Sequence, residues 1–157
     1  MKKWFLFASF LFLFGCGQSE EEAKEVSGDV TKKEVQFSVN AKESSEYVDF
    51  DMKILNNTEE QINMEFRSGQ KYEIRVLNES GKEVYRYSKG RMFTQAIQNQ
   101  QLAPGEKQTY KEAWDYKNQE NGSRVQAGTY TVQATFMGKI EGVNMNTLTA
   151  KDTFEVP

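Results

Sequence analysis

The stretch GTYTVQATF (Gly128–Phe136) places Tyr130, Val132, Ala134 and Phe136 at every second position, with threonine and glutamine between them. A period of two puts all four apolar side chains on one face of a pleated strand, whereas a helix would scatter them around its axis. The same alternation recurs in Val35, Phe37 and Val39, in Val48, Phe50, Met52 and Ile54, in Ile62, Met64 and Phe66, and in Tyr72, Ile74 and Val76. EVYRYS, QTYKEAW and a last run carrying Phe154 and Val156 continue it. Between the runs lie NNTEE, NESGK and LAPGEK, whose asparagine, glycine and proline supply the backbone angles of a reversal.

These runs make about eight short strands, with no convincing amphipathic helix. A single half-buried sheet cannot hide so many apolar faces. The expected fold is therefore all-β, an immunoglobulin-like antiparallel β-sandwich over residues 35–157, without the cysteine bridge of antibody domains. The poorly patterned passage after EVYRYS and the polar DYKNQENGSRVQA are read as loops.

The N-terminus has a different character. Two lysines precede a block from Trp4 to Phe14 in which Ser9 alone is polar, the layout of an export signal. A helix of that length rises about 16 Å, against a hydrocarbon core of about 30 Å, so it is read as a leader and not as a permanent anchor. The leader ends in LFGC (Leu13–Cys16), which resembles a bacterial lipobox. Phe14 departs from that pattern, in which a smaller residue is commoner. The resemblance implies a signal peptide over residues 1–15, cleavage before Cys16, and acylation of that cysteine. Two or three acyl chains, at about 0.8 kcal/mol per buried methylene, hold a domain on a membrane where one is marginal. Residues 16–34 are polar and poor in aromatics, which suits a flexible tether. The expected location is thus the cell membrane, reached by export and held through Cys16.

The chain has one cysteine and no histidine. No internal disulfide can form, and Ser/His/Asp triads, Cys/His dyads and histidine-based zinc sites are excluded. Net charge is −3 with basic residues scattered among acids, which gives nucleic acid no electrostatic footing. No cofactor, metal or enzymatic activity is expected.

Three ordered stretches carry a resemblance: FRSGQKYEIRVLNESGKEVYRYSKGRMFTQAI, LAPGEKQTYKEAWD and AGTYTVQATF. Together they are similar to the BsuPI-type intracellular proteinase inhibitor domain. The resemblance implies a non-enzymatic β-sandwich that restrains a subtilisin-type serine protease by non-covalent association. Tyr85 and Tyr87 stand where that family often carries tryptophan, and an export leader sits oddly with an intracellular family. The alternative is an immunoglobulin-like envelope lipoprotein that binds a protein, peptide or glycan and inhibits nothing.

An inhibitory loop needs exposed side chains that a protease pocket accepts. SKGRMF offers Lys89, Arg91, Met92 and Phe93, the last two suited to a subtilisin-type pocket; NQENGSRVQ offers Arg124. Ser68-Gly69-Gln70 reads as a structural corner whose side chains bond loop backbone. Glu112 shares a strand phase with Tyr110 and Trp114, so it either needs a cationic partner or, as expected, sits at a bulge or strand end in water. Glu112 with Asp115 makes a poor acid pair for glycoside hydrolysis. Asp49 and Asp51 form no calcium loop. NNT, NES and NGS match the glycosylation pattern but are read as turns.

Overall fold

Alternating side chains build strands here because each apolar face finds another to cover it. A computed structural model describes residues 34–157; the leader, Cys16 and nearly all of the tether lie outside the described residues. Ten strands follow in order: β1 (Val35–Glu43), β2 (Val48–Asn56), β3 (Ile62–Phe66), β4 (Tyr72–Asn78), β5 (Glu83–Arg86), β6 (Gln98–Leu102), β7 (Lys107–Trp114), β8 (Gly128–Phe136), β9 (Lys139–Ile140) and β10 (Thr149–Val156). A 3-10 turn at Met145–Leu148 precedes the last.

All pairings are antiparallel. One sheet runs β10-β8-β4-β5 and another β1-β2-β7. In immunoglobulin terms these are the G-F-C-C′ and A-B-E orders, so the sandwich is immunoglobulin-like by topology. A third sheet, β6-β3-β9, forms from the connecting segments, where two sheets were expected. The reason is β6: Gln98–Leu102 buries Leu102 but has no alternation of apolar with polar residues, and it pairs along β3 through its backbone. β1 also runs on to Glu43, leaving residues 44–47 as the turn, because polar Lys42 and Glu43 keep pairing with Asp49 and Val48.

Aromatic rings join the sheets across the core. Phe50 meets Phe154 at 5.6 Å, Phe37 meets Phe136 at 5.8 Å, and Phe66 of the third sheet meets Phe136 at 5.4 Å. Trp114 contacts Tyr85, Tyr116, Tyr130 and Phe154, and its indole donates to the Lys117 carbonyl at 2.9 Å. Tyr116 lies in the passage read as a polar loop, yet it is wholly buried, at φ +59°, with its hydroxyl 2.8 Å from the carbonyls of Ser44 and Tyr47.

The three glycosylation-like triplets share one turn geometry. Thr58, Ser80 and Ser123 each donate a hydroxyl to the side-chain oxygen of the asparagine two residues earlier, at 2.6, 2.8 and 2.8 Å. Asn56 also donates to the carbonyls of Glu60 and Leu102 from full burial. These asparagines are turn builders.

Candidate functional site

The connection from β5 to β6 crosses from one sheet to another without regular structure, so side chains must hold it. At its root Tyr87 donates its backbone N–H to the Ile74 carbonyl at 2.9 Å, and Ser88 donates to Glu73 Oε1 at 3.1 Å. Gly90, at φ +77°, sits in the turn that Arg91 N closes onto Ser88 O at 3.1 Å. Glycine takes that φ without the clash a β-carbon would meet.

Further on, three attachments fasten the loop. Arg91 Nη2 donates to Glu112 Oε1 at 2.6 Å, and its guanidinium carbon lies 4.0 Å from the centre of the Tyr87 ring. Phe93 packs on the other partner of that cluster, its ring 5.8 Å from Tyr87, which in turn lies 4.7 Å from Tyr72. Gly69 N donates to the Thr94 carbonyl at 2.9 Å. The approach at Gly69 is close enough that a β-carbon there would stand 2.7 Å from Thr94 Oγ1.

Ser68-Gly69-Gln70 is thus a corner that also clasps the loop. Ser68 Oγ accepts from Gln70 N at 3.2 Å, and Gln70 Nε2 donates to the Tyr72 carbonyl at 3.1 Å. The sequence marks both stretches; their meeting across the fold is what it does not show.

Glu112 corrects the expectation that it would be wet. Its side chain is 14% exposed, and besides Arg91 it accepts from the hydroxyls of Tyr72 at 3.2 Å and Tyr85 at 3.4 Å. Burial, with the Glu112 charge beside it, pushes the Tyr85 phenol up to about 12. The cationic partner that burial demands is Arg91, supplied by the loop.

The four loop residues picked from sequence behave differently. Lys89 is exposed, Arg91 is turned back onto Glu112, and Phe93 is half-buried on Tyr87. Met92, between two anchored neighbours, is 99% exposed. Ile97, 68% exposed, ends the loop and escaped sequence reading because it stands outside any periodic run.

Arg124, in the other candidate loop, is engaged by its own fold. Its Nη2 donates to the carbonyls of Ser45 at 3.0 Å and Pro157 at 3.3 Å, and its guanidinium lies over Tyr116. Asp115 pairs with Lys117 and Asp51 with Lys42 and Lys111, which leaves neither as part of an acid pair or a calcium cage. Among the described residues no group of three or more acids and cysteines is placed to hold a metal. A groove of about 800 Å³ beside β3 and β9, bordered by Glu60, Ile62, Glu141 and Val143, shares no residue with the loop.

Among solved structures this chain is similar to the CARDB domain of a Pyrococcus furiosus protein, in complex with di-metal ions, at 11% identity and TM-score 0.46 over 83% of this chain and 97% of that one. A beta-glucosidase from Kluyveromyces marxianus in complex with glucose is 16% identical with TM-score 0.44, over 80% of this chain and 14% of that one. Beta-glucosidase 3B from Thermotoga neapolitana in complex with glucose is 19% identical with TM-score 0.44, over 79% and 16%. None of these lends a ligand or an activity to this chain. No curated protein matches it. The sequence pattern of one family does match, over residues 35–141, a range that takes in the Gly69 corner, the fastened loop and Glu112. The chain belongs to that family, BsuPI, the intracellular proteinase inhibitors.

Proposed function

We propose that this chain is a membrane-held inhibitor of a subtilisin-type serine protease. In this reading, export and acylation at Cys16 place the domain on the cell membrane, residues 16–34 space it from the surface, and the loop from Ser88 to Ile97 enters the protease cleft. The observation that carries it is Met92: an apolar side chain wholly in solvent, on a backbone held at both sides by Arg91 and Phe93. A loop ordered before binding loses less conformational freedom on association, so more of its contact energy appears as affinity. Disulfides, the usual means of such ordering, cannot form here; an ion pair, a ring stack and the Gly69–Thr94 backbone bond take their place.

The test is titration of the purified protein against a panel of secreted and wall-associated subtilisin-type proteases. Saturable inhibition is expected, and Met92→Gly should weaken it with the melting temperature unchanged. Absence of inhibition across the panel at concentrations well above the micromolar range would leave a general envelope-binding module as the better reading. For the anchor, Cys16→Ser should abolish incorporation of labelled fatty acid; labelling that persists would remove the lipoprotein assignment.

A further inference from the structure

The methionines of the described residues fall into distinct environments. Met52 and Met64 are buried in the core, Met137 and Met145 are 42% and 37% exposed, and Met92 is 99% exposed. A thioether is oxidised only where dissolved oxidant can reach its sulfur, so exposure ranks these side chains and puts Met92 first. Its neighbours in the chain are also held: Arg91 is tied to Glu112 and Tyr87, Phe93 to Tyr87, and Thr94 to Gly69. The sulfur is therefore both the most accessible to oxidant and the part of the loop aimed outward.

Oxidation there would leave the fold untouched, since Met92 has no packing to lose. It would change the contact surface instead: a sulfoxide carries a strongly polar oxygen that an apolar pocket must desolvate without a partner. We propose that Met92 is a modification site, where a hydroperoxide converts the thioether to the sulfoxide and the altered side chain no longer seats in the protease, releasing inhibition. In the step a sulfur lone pair attacks one oxygen of hydrogen peroxide and the O–O bond breaks. Sulfur gains that oxygen and is oxidised by two electrons; the peroxide is reduced and leaves as water. The release half of this inference rests on the inhibitor reading above; the modification half does not.

The purified full chain is treated with hydrogen peroxide, the peroxide is removed, and sulfoxide at each methionine is followed by peptide mass spectrometry while inhibition of a subtilisin-type protease is assayed. Met92 should convert before Met137 and Met145, and these before the buried Met52 and Met64. Inhibition should fall in step with Met92 conversion, at least about tenfold at completion, as for loss of a central apolar contact. Whatever its starting inhibition, Met92→Leu should lose none of it to peroxide, and Met92→Gln should inhibit weakly without peroxide. Conversion of Met137 or Met145 as fast as Met92 overturns the modification site. Full inhibition by the oxidised chain, or by Met92→Gln, overturns the switch. A chain that never inhibits overturns the functional reading, and the mass spectrum then decides the modification site by itself.

Discussion

Arg91 Nη2 and Glu112 Oε1 stand 2.6 Å apart, although they lie 21 positions apart in the chain. The pair ties an exposed loop to the core-facing side of β7, and its two halves are unequal: Arg91 is 44% exposed and Glu112 14%. The consequences of removing either half differ accordingly.

Glu112→Ala should cost about 1–3 kcal/mol, because the Tyr85 hydroxyl loses its acceptor inside the protein and the Tyr72 hydroxyl is left with the Lys111 carbonyl at 3.3 Å alone. Arg91→Ala should cost less, about 1 kcal/mol, because the carboxylate left behind keeps the Tyr72 and Tyr85 hydroxyls as donors and some access to water. Urea denaturation of both variants checks the order; equal losses would show that Glu112 is not the buried half.

Gly69→Ala introduces a β-carbon 2.7 Å from Thr94 Oγ1. The variant should lose about 1 kcal/mol through this overpacking, and adding Thr94→Ala should restore most of it. A double-variant cycle by thermal melting measures the coupling, and strict additivity would mean that the two residues do not meet.

Trp114 is 2% exposed and touches four aromatic rings, with its indole N–H satisfied. Trp114→Ala should destabilise by about 3–5 kcal/mol, read from the shift of the denaturation midpoint at constant slope.

The family match ends at residue 141, but β10 completes the sheet next to β8 and buries Phe154 and Val156, with Leu148 just before it. Each such side chain contributes about 1.5–3 kcal/mol, against a total stability of about 5–15 kcal/mol for a domain. A chain stopped after Glu141 should therefore fail to melt cooperatively by circular dichroism. A sharp, native-like transition would show that β10 is dispensable.

Burial pushes the phenols of Tyr85 and Tyr110 from the ordinary 10.0 up to about 12, and that of Tyr72 in the same direction. The unfolded chain releases these protons near pH 10 while the folded one keeps them, so the unfolded state binds fewer protons above that point. The stability they contribute is full below pH 10 and is lost as pH rises toward 12. Phenolate absorbance should accordingly rise late and together with unfolding; early, gradual ionisation of these three residues in folded protein would contradict their burial.

Much of this fold was legible in the chain because alternation is a local property. Tyr130, Val132, Ala134 and Phe136 share a face through backbone geometry alone, whatever lies opposite, and the same holds for Val48, Phe50, Met52 and Ile54. The asparagine turns are local too, each closed within two residues. What tertiary structure decided involves partners far apart in sequence. Gln98–Leu102 is a strand because β3 offers backbone groups to pair with, and its side chains carry no pattern that says so. Tyr116 is buried because the Ser44–Tyr47 turn closes over it from 69 and 72 residues away. Arg91, Met92 and Phe93 are adjacent letters of similar promise, yet Glu112 takes the first, Tyr87 takes the third, and the second is left to solvent. Burial and pairing are set by the groups that the fold brings near, and a side chain's own chemistry fixes what it needs but not which neighbour will meet it.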